Sequence, residues 1–356
     1  MRGRPSFSLT IVHKEELVPG FFRFTFAPQP GLRSVAGQFL TFTHRFNGEE
    51  VRRSYSLLSV PGLDDSASIG VRRIDNGLFS RYLCDEAAPG TVLECIGAAG
   101  LFVLPAGDEP KQVFLLAAGS GITPVYALLR AALLQHAHTE VVLVYSNHNR
   151  ARAALIKEIG QLAIDFPGRF RLHLLFSDDP VLRRAHLNRE LLLELLQEEG
   201  ASAEHTWFYT CGPEAYMRMC SYVLRGEGFP ADRIRREDFI PLRPSPPPLA
   251  PPDSGRYEVR VYWQGRGYRF TAGRPDSILK SALEAGLELP YSCGLGRCAS
   301  CVARCVEGHT WLARNEVLTE ADLACGLTLP CSAFPQDGPV TLRFDDTDMG
   351  TLLEDL

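Results

Sequence analysis

No run of this chain is both long and apolar enough to span a bilayer; the most apolar stretches, Val113 to Ala118 and Ala131 to Leu134, are short. The N-terminal MRGRPSFSLTIVHKEE carries basic residues but no apolar core of signal-peptide length, so a cytoplasmic protein with no membrane contact is expected. Nor is there a basic excess. With 37 Lys and Arg against 42 Asp and Glu the net charge is −5, and no nucleic-acid partner is expected. Internal repeats are missing, and low complexity is confined to one proline-rich stretch. What is present, 45% hydrophobic and 22% charged residues, suffices to build cores in two or three domains over 356 residues.

Cysteine, by contrast, is plentiful and unevenly placed. Of ten cysteines, Cys293, Cys298, Cys301, Cys305, Cys325 and Cys331 crowd the C-terminal region. Disulfides need an oxidising compartment, so metal binding is the better reading. Cys293-Gly-Leu-Gly-Arg-Cys298-Ala-Ser-Cys301 has the C-x4-C-x2-C spacing of plant-type 2Fe–2S sites. Thiolates are soft ligands for iron, and the small Gly294, Gly296, Ala299 and Ser300 leave room for backbone N–H groups to approach sulfur. Zinc ribbons show two close cysteine pairs, whereas here there is one. Cys305, Cys325 and Cys331 are candidates for the fourth thiolate, Cys305 being the one that needs an immediate chain reversal. Cys84, Cys95 and Cys220 read as small buried apolar residues.

Seven prolines between Pro241 and Gly255 exclude helix and inner strand and predict an extended spacer. Before it the texture changes once. Ser8–Val12, Phe21–Phe26, Gln38–Thr43 and Thr91–Cys95 are strand-like runs between Gly and Pro turns, the pattern of an antiparallel barrel. From Val113–Ala117 onward strands alternate with helices: Pro124–Gln135, Val141–Tyr145, Phe170–Phe176, Arg189–Gln197 and Trp207–Thr210 predict a parallel sheet covered on both faces. The expected organisation is multi-domain: a barrel over 1–108, an α/β parallel-sheet domain over 109–241, a linker over 242–255 and a cysteine-bearing module over 256–356.

Candidate ligand-binding residues lie at the ends of these runs. Arg53 and Tyr55 share one strand face, and Ser56 joins them only if the strand ends or bulges there. Val71, Arg72 and Arg73 precede Gly77-Leu-Phe79-Ser80, a turn into a helix whose free N–H groups could hold phosphate. Gly119, Gly121, Thr123 and Pro124 form a Gly-Ser-Gly turn that opens a helix after a buried strand. Cys211, Gly212 and Pro213 form a second such turn. Two turns at the C-terminal edge of one parallel sheet are where a dinucleotide should bind.

Together these motifs resemble the ferredoxin–NADP reductase superfamily joined to a C-terminal plant-type ferredoxin, over essentially the whole chain. The likeness extends to the reductase subunits of phenylacetyl-CoA epoxidases and 3-ketosteroid hydroxylases. The resemblance implies an FAD-binding β-barrel, an NAD(P)-binding α/β domain and an α+β, β-grasp ferredoxin domain. It places Tyr55 on the isoalloxazine, Ser56 near N5, Arg53 and Ser80 on the pyrophosphate, and Gly121, Thr123 and Cys211 beside the nicotinamide nucleotide. Glu237 and Phe239 match a Glu-x-Phe whose aromatic lies near the flavin. Cys325-Gly-Leu-Thr-Leu-Pro-Cys331 resembles the closing segment of plant-type ferredoxins and selects Cys331 as fourth ligand. Leu295 departs from the small residue usual there.

The implied activity is electron transfer from NADH or NADPH through FAD and the cluster to a partner oxygenase, di-iron or Rieske, by a monomer. The alternatives are a stand-alone diaphorase, a reductase of a non-oxygenase metalloprotein, and a redox sensor. Ser177-Asp178-Asp179 stands where NADP-specific relatives carry Ser-Arg, which favours NADH, while Arg150 and Arg152 could reach a 2′-phosphate. The acidic tail, Asp345, Asp346, Asp348, Glu354 and Asp355, is a candidate docking face for a basic partner.

Overall fold

A computed structural model describes residues 7–105, 110–239 and 250–344. Most of the expected linker, residue 108 and the acidic tail lie outside the described residues. Two compact units result: one contains the barrel and the parallel sheet as far as Asp238, the other the C-terminal sheet.

The barrel strands are β1 (Phe7–Val18), β2 (Phe21–Phe26), β3 (Phe39–Phe46), β4 (Glu49–Ser56), β5 (Ser68–Arg72) and β6 (Val92–Ala99), in the order β4-β3-β6-β1-β2-β5 and antiparallel throughout. Alternation sends Leu9, Ile11, Phe24, Phe26, Leu40 and Phe42 into one core. Closure comes just past β4: Leu57 bridges Ile69, and the Leu58 N–H donates to the Ser68 carbonyl at 2.8 Å. Helix α1 (Leu78–Arg81) and a π-helical turn at Tyr82–Glu86 follow β5.

Strands β7 (Gln112–Ala118), β8 (Glu140–Asn147), β9 (Phe170–Phe176), β10 (Thr206–Cys211) and β11 (Ile234–Glu237) pair in parallel in the order β11-β10-β7-β8-β9. The nearly unbroken apolar runs of β7, β8 and β10 reflect burial on both faces, whereas the edge strands β9 and β11 carry Arg171, Arg235 and Arg236. One face is covered by α2 (Ile122–Leu134) and α3 (Ile156–Asp165), and the short α4 (Leu182–Ala185) follows β9. The other packs against α5 (Arg189–Glu198) and α6 (Glu214–Gly226).

Barrel and parallel sheet share a core. Phe21, Leu58, Val60 and Phe102 cluster with Val113, Leu115, Val125 and Leu128. Around that seam the Tyr209 hydroxyl donates to the Val103 carbonyl at 2.7 Å. Arg130 grips Asp64 with both Nη atoms, at 2.6 and 2.9 Å, and Arg23 pairs with Glu158 at 2.9 Å.

The C-terminal unit holds β12 (Arg256–Trp263), β13 (Arg266–Gly273), α7 (Ile278–Glu284), β14 (Ala303–Leu312), α8 (Glu320–Ala324), β15 (Leu327–Thr328) and β16 (Ala333–Arg343). Its mixed sheet runs β13-β12-β16-β14-β15, with β12 and β16 parallel, and α7 buries Ile278, Leu279 and Ala282 against it. This is the expected β-grasp arrangement. Among the described residues no helix is long and apolar enough to cross a membrane.

Candidate functional site

The cysteine loop is built around its sulfurs. The Cys293 N–H donates to Cys298 Sγ at 3.4 Å, the Leu295 N–H to Cys293 Sγ at 3.3 Å, and the Gly296 N–H to Cys331 Sγ at 3.2 Å. Cys298 Sγ also lies 3.3 Å from Ser300 Oγ. The sulfurs associate in two pairs, Cys293 with Cys298 and Cys301 with Cys331. The Cys298 thiol and neighbouring N–H groups hold the Cys293 thiol well below its ordinary range. Among the described residues, no three His, Cys, Asp or Glu side chains gather as ligands of a single ion would. Two thiol pairs fringed by N–H donors suit a two-iron cluster, whose irons each take two thiolates. The other candidates lie elsewhere. Cys305 is in β14 with its sulfur toward the Glu307 and Gly308 carbonyls, and Cys325 caps α8. Cys84, Cys95 and Cys220 are buried.

In the barrel unit, strand β4 ends at Ser56, which pairs with Phe39 and is buried, while Arg53 and Tyr55 are half-buried. Tyr55 is half-buried, its ring 6.3 Å from Phe42 and 6.0 Å from the buried Phe79, so its angle is fixed by aromatic packing. Arg53 Nη1 donates to the Arg52 carbonyl at 2.7 Å. Ser80 is buried, and its hydroxyl closes the turn by donating to the Gly77 carbonyl at 3.1 Å. Val71 belongs to the barrel core, and Arg72 lies over the Phe21 ring at 5.4 Å.

The two dinucleotide turns meet. A Cβ on Gly121 would stand 2.1 Å from the Cys211 carbonyl oxygen, so only glycine lets the start of α2 approach the end of β10 so closely. Gly119 opens this turn, Thr123 Oγ1 donates to the Ser120 carbonyl at 2.9 Å, and Pro124 lies in the first turn of α2. Gly212 follows Cys211, and Pro213 caps α6.

Glu237 is in register with Cys211, and its Oε1 accepts a 2.6 Å hydrogen bond from Ser56 Oγ. A hydroxyl from the barrel, a carboxyl from β11 and a thiol from β10 thus come to one place. Burial pushes the Glu237 carboxyl up to about 8 against the opposing effect of Ser56, and raises the Cys211 thiol as well. Phe239 is exposed.

The raised Glu237 value has a sign. A carboxyl protonated more readily when folded contributes stability below its unfolded value, 4.5, and loses it as pH rises through about 8. Between pH 6 and 9 the melting temperature of the parent should therefore fall further than that of Glu237→Gln, by about 2–4 °C per kcal/mol. Parallel pH profiles would remove the assignment.

Sequence reasoning missed the support behind the cysteine loop. Glu316 and Ser332 engage it, yet no periodicity links them to positions 293–301.

Three family models match the chain: an oxidoreductase FAD-binding domain over residues 8–104, an oxidoreductase NAD-binding domain over 115–222, and a 2Fe-2S iron-sulfur cluster binding domain over 261–336. The chain is 32% identical to one of the subunits of the 1,2-phenylacetyl-CoA epoxidase of Escherichia coli, covering 96% of this chain and 98% of that protein. It is 31% identical to the ferredoxin reductase component of 3-ketosteroid-9-alpha-monooxygenase from Rhodococcus rhodochrous, with coverage of 92% and 91%. In fold it is similar to phthalate dioxygenase reductase, at a TM-score of 0.58, 22% identity, and coverage of 96% and 98%.

Proposed function

Because this chain belongs to the ferredoxin–NADP reductase superfamily, among the flavin and 2Fe–2S reductase components of oxygenases, we propose that it draws electrons from NADH for an oxygenase with a di-iron or Rieske centre. The partner is of the phenylacetyl-CoA epoxidase or ring-hydroxylating kind, and the reductase works as a cytoplasmic monomer. The observation that carries this reading is the meeting of Ser56, Cys211 and Glu237 beside two glycine turns, in a chain that also holds four sulfurs in two pairs. The proposed boundaries are 1–108 for the barrel, 109–241 for the coenzyme domain and 256–356 for the ferredoxin domain.

When bound, FAD and the cluster supply the conversion of two-electron to one-electron chemistry. The protein supplies position and charge. Tyr55, its ring angle fixed by Phe42 and Phe79, offers a stacking face. Arg53 holds phosphate, and the Gly77–Ser80 turn presents the N–H groups of α1. Gly119, Gly121 and Thr123 bring the start of α2 to the coenzyme, while Cys211, Gly212 and Pro213 bound the nicotinamide end. Ser56 and Glu237 hold a proton next to that end. Cys293, Cys298, Cys301 and Cys331 hold the cluster. Oxygen uptake driven by NADH with purified oxygenase components tests the proposal; ferricyanide reduction without transfer to any oxygenase component would refute it.

The phosphate role of Arg53 has its own test. Losing a charge-assisted hydrogen bond costs about 1.5–3 kcal/mol, so Arg53→Ala should lose FAD on gel filtration while keeping the cluster spectrum. A variant that retains FAD as tightly as the parent defeats the role.

For the coenzyme, the loop after β9 is informative. Asp179 is half-buried, and its Oδ1 accepts from the Val181 N–H at 2.8 Å and serves the turn, whereas Asp178 is exposed. A carboxylate there repels a 2′-phosphate and accepts hydrogen bonds from free ribose hydroxyls. NADH should therefore be preferred in kcat/KM, and Asp178→Arg should move the ratio toward NADPH. A parent preferring NADPH tenfold, about 1.4 kcal/mol, would assign the selection to Arg150 and Arg152.

A further inference from the structure

The cysteine loop is strapped to a second segment of the C-terminal unit, Arg314 to Glu316. On one side the Glu316 N–H donates to the Gly296 carbonyl at 3.0 Å, and Arg297 Nε lies 3.1 Å from Glu316 Oε1. On the other side the Ser332 hydroxyl donates to the Arg314 carbonyl at 2.7 Å and accepts the Arg314 N–H at 2.7 Å. Ser332 adjoins Cys331; Arg297 adjoins Cys298. The same strap therefore touches the neighbours of ligands from both sulfur pairs. Its fit is close, since a Cβ on Gly296 would stand 2.6 Å from the Arg314 carbonyl oxygen. Gly296 in turn donates its N–H to Cys331 Sγ.

The Arg297 side chain is buried at 3% exposure and that of Glu316 is partly buried at 23%, and Arg314 Nε lies 3.9 Å from the same Glu316 Oε1. A charge taken out of water acts on its neighbours with little screening. Reducing an iron–sulfur centre adds negative charge to it, so a buried cation beside a ligand favours the reduced form and a buried anion opposes it. Charge and hydrogen bonding around the ligands are known levers on such potentials.

We infer that Arg297 and Glu316 are positioning residues that hold the cluster loop against the Arg314–Glu316 strap and, as opposite charges beside its ligands, set the reduction potential of the cluster. Neither touches the reacting atoms. The inference rests on the assignment of Cys293, Cys298, Cys301 and Cys331 as ligands. That assignment fails separately, by retention of the cluster in Cys331→Ser.

The test is a potentiometric titration of the full-length holoprotein, followed by the electron paramagnetic resonance of the reduced cluster. Arg297→Gln should shift the midpoint to lower potential, because it removes a buried cation next to Cys298 while Glu316 keeps its charge. Glu316→Gln should shift it to higher potential, and the double variant should return toward the parent. Arg297→Lys, which keeps the charge, should abolish most of the shift seen in Arg297→Gln. A purely mechanical role gives no reason for shifts of opposite sign. Shifts of the same sign, unchanged midpoints, or loss of the cluster from either neutral variant would overturn the inference.

Discussion

Replacing Cys331 by serine is expected to strip the chain of its iron–sulfur absorbance while leaving NAD(P)H-dependent ferricyanide reduction at the flavin. Cys331 Sγ accepts the Gly296 N–H at 3.2 Å and pairs with the buried Cys301, so its removal takes away one of two thiolates on one iron. Serine offers a harder donor that suits iron–sulfur chemistry poorly. The control is Cys325→Ser. Cys325 caps α8, and its carbonyl accepts from Arg304 Nη1 at 3.1 Å, whereas the two sulfur pairs are Cys293 with Cys298 and Cys301 with Cys331, so the cluster should remain. Visible spectra and iron content of the two variants decide the matter. Loss of the cluster from Cys325→Ser alone would exchange the two assignments.

Gly121→Ala should cripple coenzyme turnover without touching the cluster. The added methyl would meet the Cys211 carbonyl oxygen at 2.1 Å, its carbon at 2.4 Å and the Gly212 nitrogen at 2.8 Å. All three are backbone atoms, so no rotamer change relieves the overlap. Helix α2 and the end of β10 must separate by about 1 Å, and a displacement of that size at a reacting site costs on the order of 100-fold. The expected result is a drop of that order in kcat/KM for ferricyanide reduction with either coenzyme, with the cluster spectrum unchanged. Gly160→Ala is the control, since nothing lies within 4 Å of a Cβ at that helical position. Equal activity in the two variants would mean that the contact of the turns does not position the coenzyme.

The parallel sheet was the part most legible in the sequence, and the reason is physical. Strands buried on both faces read as apolar runs with no competing pattern, so Val141–Tyr145 falls inside β8 and Val113–Ala117 inside β7, and even the edge strand β9 coincides with Phe170–Phe176. Barrel strands were found but shortened: Ser8–Val12 is only the start of a strand that runs to Val18, where Lys14, Glu15 and Glu16 break the apolar alternation. Closure through Leu57 and Ile69 left no signal, because a single bridge between distant positions has no period. Local motifs announced the glycine turns and the cysteine loop. The contact of Gly121 with Cys211 and of Arg297 with Glu316 could not be announced, since each depends on tertiary packing between segments far apart in sequence.

The core shared by barrel and parallel sheet bears on how this protein can be re-engineered. Phe21, Leu58, Val60 and Phe102 from the barrel are buried against Val113, Leu115, Val125 and Leu128 from the sheet, and Arg130 grips Asp64 around them. A chimera that swaps the coenzyme sheet for a relative's, cut near residue 105, exposes that whole apolar surface unless the four barrel residues travel with their partners. Cores tolerate volume changes of even one methylene poorly. The workable splice for altering coenzyme choice therefore lies in the loop after β9, at Ser177–Asp179, where Asp178 is exposed, Asp179 serves a turn and none of the three belongs to the shared core.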